Sequence, residues 1–555
     1  MRSENAEQSP PGRTVPRVLW RGLGFWNFYF FSKLLLYWGG YINLHVFYNL
    51  LFAAALLIPL PPVWLHRLRH LIAVPVGVAL FYYDTWLPPF RRLLEQPEVL
   101  EFSNDYLLEL ASRFINWELV GAGFIALVVF LFLSQWLRMS MFTMLALFGL
   151  ALTQWSAHWL PQVEWTFSHA QVVEPTAQVN YDAEPKRAAP LAQSRSLNEA
   201  LGEALEDFYI AEQGRQVSFP TQGGQAPDFD LLFLNICSLS WDDLDATGLS
   251  GHPLFDLLDV VFTEFNSATS YSGPAVQRLL QANCGQQSHR SLYEEQNPQC
   301  SLFGNLQQLG FKTQAALNHD AQFQNLIDDI MGEPAFGGAF IPTGQRAVLR
   351  GFDNSPIWAD YETLNAWWES RNKDNNGPAT ALFYNSITLH DGNREPTADG
   401  GGRSSPFERR MGTVLDDLER FLLDLQQEDR KIMVVLVPEH GAAFRGDRMQ
   451  ISGLREIPTA EITLVPVGVS FIGAAARPEQ PVQITQPSSF LALAELVSRV
   501  LADGTFFDKE VDWDALLDDL PTTRLVAENE GVVSFWHEGK PYVRFEGKDW
   551  IEYRP

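Results

Sequence analysis

Basic side chains are scarce in this chain of 555 residues, which has 40 lysines and arginines against 66 aspartates and glutamates. The formal net charge is −26 at pH 7. This balance argues against nucleic acid as a partner and disfavours a polyanionic substrate, because like charges repel. A neutral polymer or a zwitterionic lipid would not be repelled. Cysteine is scarcer still, with three residues, so at most one disulfide remains if one cysteine binds a metal.

Long apolar stretches fill the N-terminal part of the chain. Each is close to the ~20 residues that a helix needs to cross a hydrocarbon core of ~30 Å. The sequence therefore predicts a transmembrane domain over residues 1–160, a bundle of five helices at 22–40, 42–61, 69–87, 118–137 and 140–158. A buried five-helix core in a soluble protein is the alternative.

Arginines give these spans an orientation. They precede the first span and lie between the second and third and between the fourth and fifth. The positive-inside rule places those segments, and the N-terminus, in the cytoplasm, and it places the chain after about Leu160 outside. Lys33, His45 and Asp84 lie in or near the spans, and we interpret them as snorkelling or bundle-facing residues.

The remainder of the chain separates into a linker and one large domain. Residues 161–227 contain proline, glutamine and serine and predict a linker. One amphipathic helix interrupts it, because apolar residues recur there at three- and four-residue spacing: Leu197, Ala200, Leu201, Ala204, Leu205 and Phe208. Residues 228–555 alternate strand-like and helix-like segments, which predicts an α/β domain with an ample core.

Three strand-like runs in this domain end in potential metal ligands. The run 231–236 is followed by Cys237, the run 383–389 by His390, and the run 433–437 by Pro438 and then Glu439 and His440. Open α/β sheets bind ligands at the carboxyl ends of their parallel strands. Cys237, His390, Glu439 and His440 therefore predict one tetrahedral zinc site. The alternatives are that Cys237 is an inert buried thiol, that His390 is a core histidine, and that Glu439 and His440 form a surface turn. No second set of potential metal ligands follows the predicted strands.

The other two cysteines are Cys284 and Cys300, separated by a polar segment. An extracytoplasmic disulfide is the natural interpretation. The alternative is that all three cysteines are reduced and that one of this pair binds the metal.

A nucleophile is expected between the first two ligands, at the start of a helix. The segment 266–274 leads into a short helical stretch, and Pro274 fits its first turn. A hydroxyl there feels the partial positive charge of unpaired backbone N–H groups. Ser272 is the favoured candidate, and its competitors are Ser267, Thr269 and Ser270.

Four motifs together resemble those of the bacterial cellulose phosphoethanolamine transferases, in the alkaline phosphatase superfamily. They are the segments 266–275, 235–242, 389–392 and 437–441, and the resemblance covers essentially the whole chain. It implies an alkaline-phosphatase-like, doubly wound sheet and the zinc ligands named above. It also implies Ser272 as the nucleophile, Tyr271 and Arg455 around the substrate, and a Cys284–Cys300 disulfide.

The resemblance implies a chemistry that composition does not show. Phosphatidylethanolamine would donate phosphoethanolamine, through a covalent serine intermediate, to the 6-hydroxyls of cellulose. The protein would be a multi-pass inner-membrane enzyme with a periplasmic catalytic domain, and subunits of the cellulose synthase complex would be its partners. The alternatives are a membrane-anchored phosphodiesterase and a non-catalytic scaffold with a structural zinc. A formylglycine sulfatase is excluded, because no arginine stands two residues after Pro274.

Overall fold

The computed structural model describes residues 22–60, 63–87, 117–156, 197–220, 227–294, 297–320, 336, 338–342, 344–373, 377–398 and 402–555. Two compact units are distinguished within them. The first contains the described residues up to 156, and the second contains those from 197 onward. Most of the predicted linker lies outside the described residues, so the domain boundaries stay predictions.

Helices make up the first unit where it is described. They are α1 Trp26–Trp38, α2 Val46–Leu57, α3 Val63–Asp84, α4 Trp117–Leu133 and α5 Met139–Ser156. Each coincides with or overlaps one of the five apolar stretches. In the described part of the chain, however, none of the helices has both the length and the apolar character needed to cross a membrane. The five-span bundle therefore stays a prediction.

A buried polar cluster joins α1, α2 and α3. Lys33 and Asp84 form an ion pair, and both side chains are fully buried. Asn49 accepts a hydrogen bond from Lys33 Nζ at 2.7 Å and donates one to Asp84 Oδ2 at 2.8 Å. His45 Nδ1 lies 2.7 Å from Asp84 Oδ1. Lys33 and Asp84 thus face the interior of the first unit and not its surface.

The second unit alternates strands and helices over most of its length. Its strands are β1 Asp230–Ile236, β2 Val260–Asn266, β3 Lys312–Leu317, β4 Ala339–Phe340, β5 Leu349–Arg350, β6 Pro356–Ile357, β7 Thr380–Ser386, β8 Arg394–Pro396, β9 Gly402–Ser404, β10 Ile432–Leu436, β11 Leu464–Ile472, β12 Val482–Ile484, β13 Val526–Asn529, β14 Val532–His537, β15 Lys540–Phe545 and β16 Ile551–Glu552. Its helices are α6 Leu197–Gln213, α7 Trp241–Thr247, α8 Ser272–Leu280, α9 Leu302–Gln308, α10 Asp360–Asn372, α11 Phe407–Leu425, α12 Ala460–Thr463, α13 Phe490–Ala502 and α14 Trp513–Leu517.

An eight-stranded sheet forms the centre of this unit, in the order β12-β2-β11-β10-β1-β7-β3-β4. The strands from β10 to β4 are mutually parallel, whereas β11 runs antiparallel to both β10 and β2. The sheet is therefore mixed rather than uniformly parallel. β11 is antiparallel because it follows β10 and returns beside it without a crossover to the other edge of the sheet.

Helices cover both faces of the sheet, as a doubly wound architecture requires. Leu231 and Phe233 of β1 pack with residues of α8, α9 and α13 on one face. Leu232 and Leu234 pack with residues of α10 and α11 on the other. Side chains that alternate along β1 thus enter two separate cores, which is why the strand is a continuous apolar run.

The orientation of the strands determines where functional side chains meet. β2 is antiparallel to β11, which is antiparallel to β10, so β2 runs parallel to β10, β1 and β7. These four strands end at the same edge of the sheet, and β11 begins there. The segments that follow β1, β2, β7 and β10 therefore converge on this edge.

A second, four-stranded sheet of order β13-β14-β15-β16 lies at the C-terminal end of the described chain. β14 and β15 form a hairpin whose turn residues, Glu538 and Gly539, have φ of 49° and 75°. The amphipathic helix predicted in the linker is α6. Its residues Leu201, Leu205 and Phe208 form one apolar cluster with residues of the C-terminal segment: Val526, Val533, Phe535, Tyr542 and Trp550. Burial of each large apolar side chain contributes about 1.5–3 kcal/mol.

Candidate metal and nucleophile site

Three of the four predicted metal ligands lie together at the carboxyl edge of the main sheet. Cys237 follows β1, and Glu439 and His440 follow β10. One ligand atom from each side chain lies within 4.8 Å of the others, and all three residues are fully buried. Backbone hydrogen bonds beyond the strand ends hold them, from Glu439 N to Ile236 O at 2.9 Å and from Leu239 N to His440 O at 2.7 Å. The adjacent parallel strands therefore bring distant sequence segments into one cluster.

The electrostatics of this cluster fit a bound cation. Glu439 Oε1 accepts a hydrogen bond from Asn385 Nδ2 at 2.6 Å, whereas Oε2 is buried, lies 3.8 Å from His440 Nε2, and forms no hydrogen bond among the described residues. Burial raises the pKa of Glu439, and burial together with the charge of Glu439 raises the pKa of the Cys237 thiol to about 12. Two groups that ionise to anions thus share a site without water contact, and a divalent cation would stabilise both charges.

His440 is the predicted ligand of this set that would be neutral. Burial, with the nearby charge of Arg455, lowers the pKa of His440 well below its usual value, so the imidazole is neutral at pH 7. His440 Nδ1 lies 2.8 Å from Gly441 O, which favours the proton on Nδ1 and leaves the Nε2 lone pair facing Cys237. Thiolate, carboxylate and imidazole are the ligand types that zinc binds in proteins.

His390, the fourth predicted ligand, does not place a ring nitrogen within 4.8 Å of all three of these ligand atoms. Its Nδ1 atom lies 2.9 Å from Asp391 O, and burial, then the charge of Arg455, lowers its pKa to about 4. It is therefore a neutral imidazole with the same tautomer as His440. β7 ends at Ser386, earlier than the predicted strand, because Asn318 Oδ1 accepts the Ile387 N–H at 3.1 Å and turns the chain. The role of His390 as a metal ligand stays a prediction.

Ser272 is the first residue of α8, and its hydroxyl lies against the cluster. Its Oγ atom lies 3.4 Å from Cys237 Sγ and 3.4 Å from His440 Nε2. The three competitors are turned elsewhere: Ser267 Oγ donates to Thr269 O, Thr269 Oγ1 donates to Asn529 Oδ1, and Ser270 Oγ donates to Arg455 O. The geometry therefore favours Ser272, which is also partly exposed to solvent.

Arg455 and Tyr271 border the same site. Arg455 Nη1 lies 3.2 Å from Ser238 Oγ and 3.3 Å from His440 Nδ1, and its guanidinium lies 5.9 Å from the centre of the Tyr271 ring. Tyr271 donates its hydroxyl to Glu456 Oε1 at 3.1 Å. The connection between β10 and β11 starts and ends at the carboxyl edge, so it brings Arg455 back over the cluster. A guanidinium there can bind an anionic phosphate oxygen.

Strained backbone marks the segments around the cluster. Ser238, Ala268 and Ala443 have φ of 65°, 62° and 54°, which is unusual for residues other than glycine. Such conformations cost of order 1–3 kcal/mol each and persist only where the surroundings impose them. Gly441 is required by close approach, because a Cβ atom there would lie 2.5 Å from Ser240 Oγ.

Buried asparagines support the cluster and were not predicted. Asn385 Nδ2 bonds both Glu439 Oε1 and Asn235 Oδ1, the latter at 2.8 Å, and Asn235 Nδ2 bonds Val437 O at 2.9 Å. His319 Nε2 lies 2.9 Å from Asn385 Oδ1. The sequence did contain a signal for them, because Asn235 and Asn385 stand inside otherwise apolar strands. A buried side-chain amide requires hydrogen-bond partners, which indicates a supporting role.

The predicted disulfide is present. Cys284 and Cys300 are bonded, and Cys237 is the free cysteine. The alternative in which all three cysteines are reduced is therefore wrong, and the pair is not available as metal ligands.

Two family models match the chain. The model described as the cellulose biosynthesis protein BcsG N-terminal domain matches residues 26–152, and the one described as the BcsG C-terminal domain matches residues 185–550. The chain belongs to the BcsG family. The resemblance found in the motifs is thereby confirmed at the level of the family.

Relatives that match along almost their whole length support this membership. BcsG of Escherichia coli strain K12 is 45% identical over 548 residues, covering 96% of this chain and 97% of that protein. BcsG of Salmonella typhimurium strain LT2 is 44% identical over 550 residues, with the same coverage of 96% and 97%. A solved protein of the alkaline phosphatase superfamily from Vibrio parahaemolyticus is 13% identical with a TM-score of 0.46, covering 64% of this chain and 88% of that one. This weaker likeness adds nothing to what the family match shows.

Proposed function

We propose that this BcsG-family protein is a zinc-dependent phosphoethanolamine transferase that acts in cellulose biosynthesis. The observation that carries the proposal is the position of Ser272 Oγ, 3.4 Å from Cys237 Sγ and from His440 Nε2, at the N-terminus of α8. A hydroxyl at a helix N-terminus beside a metal-ligand set is suited to nucleophilic catalysis. Membership in a family of cellulose biosynthesis proteins supports the acceptor.

Cys237, Glu439 and His440 would hold the zinc, with His390 as the fourth ligand. When bound, zinc supplies Lewis-acid stabilisation of the negative charge that develops on oxygen during phosphoryl transfer. The buried Glu439 Oε2 atom without a hydrogen-bond partner among the described residues, and the neutral imidazole of His440, support this assignment.

The reaction would proceed in two displacements at phosphorus. Ser272 Oγ forms a bond to phosphorus as the bond to the glycerol oxygen of phosphatidylethanolamine breaks, and diacylglycerol leaves with the serine proton. A glucose 6-hydroxyl then attacks the phosphoethanolamine-serine, the bond to Ser272 Oγ breaks, and the serine regains a proton from that hydroxyl. Arg455 would bind the non-bridging phosphate oxygens, and Tyr271 would border the donor.

Attachment to a bacterial inner membrane, with the site in the periplasm, is part of the proposal. The Cys284–Cys300 disulfide supports an oxidising compartment. Phe124 and Ile125 of α4 are 66% and 65% exposed, which supports a lipid surrounding for that helix. Phosphatidylethanolamine is the proposed donor, cellulose the acceptor, and cellulose synthase subunits the partners that the resemblance implies.

The test is mass spectrometry on full-length protein after incubation with phosphatidylethanolamine vesicles. We expect a phosphoethanolamine adduct on the peptide that contains Ser272, lost in Ser272→Ala and after chelation. Ser267→Ala is the matched control, because Ser267 is a buried residue of the same loop and its hydroxyl donates a hydrogen bond to Thr269 O. Its adduct should match that of the wild type.

Other outcomes discriminate the alternatives. Donor turnover without an adduct, releasing free phosphoethanolamine to water, would indicate a phosphodiesterase. Zinc binding with neither turnover nor an adduct would indicate a scaffold with a structural metal. Soluble cello-oligosaccharide, added to protein that carries the adduct, should accept the phosphoethanolamine group. An adduct that persists in the presence of the sugar would contradict cellulose as the acceptor.

A further inference from the structure

Asn529 is a buried polar residue far from the other site residues in sequence. It is the last residue of β13, in the C-terminal sheet, and its side chain is 1% exposed. Its Oδ1 atom accepts hydrogen bonds from Thr269 Oγ1 at 2.9 Å and from the Ser270 backbone N–H at 3.2 Å. Both donors belong to the loop that ends at Ser272.

The amide nitrogen of Asn529 points the opposite way. Nδ2 lies 3.2 Å from Arg455 O, 3.0 Å from Glu456 O and 2.7 Å from Ser270 Oγ. The two carbonyl oxygens can only accept, and the Ser270 backbone N–H can only donate, so the network fixes which end of the amide is oxygen. Asn529 thus uses both ends of one side chain to join two segments.

These two segments carry the proposed nucleophile and the proposed phosphate ligand. The first ends at Ser272, and the second presents the Arg455 guanidinium near Ser238 and His440. Ser270 adds a hydroxyl bond to Arg455 O. Asn529 does not contact Cys237, Glu439 or His440 through any of its bonds, so the metal ligands are held by other contacts.

We infer that Asn529 is a positioning residue that sets the separation of Ser272 from Arg455, an inference that rests on the proposed function. A nucleophile and a charged phosphate ligand must be placed to within a fraction of an ångström, and a displacement of 1 Å can cost about 100-fold in rate. Asn529 contacts backbone and side-chain atoms next to both groups rather than the reacting atoms. Its loss should therefore slow chemistry more than it weakens metal or donor binding.

The test compares full-length Asn529→Ala with Asn283→Ala in steady-state turnover of a chromogenic phosphoethanolamine ester. Asn283 is fully buried in the same unit and donates to Ser301 O, away from the two segments. We expect Asn529→Ala to lower kcat about 10- to 100-fold, with KM and bound zinc close to those of the wild type. Asn283→Ala should keep the wild-type kcat.

Two further variants locate the effect. Asn529→Asp keeps the acceptor for Thr269 and Ser270 but places a carboxylate oxygen against the carbonyls of Arg455 and Glu456, so its kcat should fall at least as far as that of the alanine variant. Thr269→Val removes a single hydroxyl, the one that donates to Asn529 Oδ1 at 2.9 Å. It should lower kcat by about threefold to tenfold, even if Asn529→Ala does not fold.

The outcomes separate this inference from the proposed function. A wild-type protein that forms no serine adduct and turns over no donor refutes the proposed function and, with it, the inference. An active wild type with unchanged kcat in Asn529→Ala and Thr269→Val refutes the positioning role alone. Equal losses in Asn529→Ala and Asn283→Ala, or a loss of zinc in the former, would show general destabilisation instead and would also overturn it.

Discussion

Replacing Glu439 with glutamine should stabilise the metal-free protein and weaken its binding of zinc. The carboxylate is fully buried, and its Oε2 atom has no hydrogen-bond partner among the described residues. A buried polar group without a partner costs about 1–3 kcal/mol, and more when it is charged. In a chelator at pH 7 we therefore expect Glu439→Gln to unfold at a temperature several degrees above that of the wild type.

The pH dependence of this difference has a definite sign. Burial raises the pKa of Glu439 above its usual value of 4.5, so the folded metal-free protein retains a proton that the unfolded chain loses. Wild-type stability without metal should then fall as pH rises above about 4.5, and the advantage of the variant should grow toward neutral pH.

Zinc should reverse the order of the two proteins. A ligand present at 1,000 times its Kd stabilises the folded state by about 4 kcal/mol, and the glutamine variant should lose most of this gain. Thermal unfolding with zinc and with chelator measures both effects. A variant less stable than the wild type in chelator, or stabilised equally by zinc, would refute the reasoning.

Asp243 provides a matched control for this experiment. It is as buried as Glu439, but its carboxylate accepts hydrogen bonds from the backbone N–H groups of Ala442 and Phe444, at 2.7 and 3.2 Å, and from Ser240. Asp243→Asn replaces a paired carboxylate, so it should destabilise the protein both with zinc and with chelator.

Three other substitutions test separate parts of the structure. Lys33→Met leaves Asp84 buried without its cation and should lower the free energy of unfolding of the first unit by about 3–5 kcal/mol, measured in detergent; an unchanged value would contradict the ion pair. Burial lowers the pKa of His319 to about 4, so stability should fall as pH decreases from 6.5 to 4, and His319→Gln should reduce that slope in acid titrations followed by circular dichroism. Gly441→Ala places a Cβ atom 2.5 Å from Ser240 Oγ, so it should lower the free energy of unfolding by about 1–3 kcal/mol and reduce zinc affinity. A calorimetric zinc titration of the variant that matches the wild type would contradict this.

Local patterns in the sequence were sufficient to predict the elements that carry the cluster. Apolar runs gave β1, β7 and β10 to within a few residues, because strands buried on both faces are continuous in hydrophobicity. The predicted ligands follow two of these strands within a few residues, so Cys237, Glu439 and His440 could be grouped without any knowledge of tertiary contacts. The amphipathic stripe of α6 was equally clear.

Two features that depend on distant contacts were not predicted, the direction of β11 and the role of Asn529. The antiparallel direction of β11 depends on which edge of the sheet the chain returns to, and no periodicity encodes that. Asn529 stands in a polar segment beside Glu528 and Glu530, where an asparagine is ordinary. Its five hydrogen-bonding contacts with residues 269, 270, 455 and 456 exist only after two sheets have packed together.

The place of Asn529 in the chain determines when the site can be completed during synthesis. Cys237, Ser272, Glu439 and Arg455 all emerge from the ribosome before β13 does. A nascent chain that has reached Arg455 already contains every proposed ligand and nucleophile, yet it lacks the amide that joins the serine loop to the arginine segment. The proposed site would therefore be completed only late in biogenesis, after the C-terminal sheet has folded against the rest of the second unit.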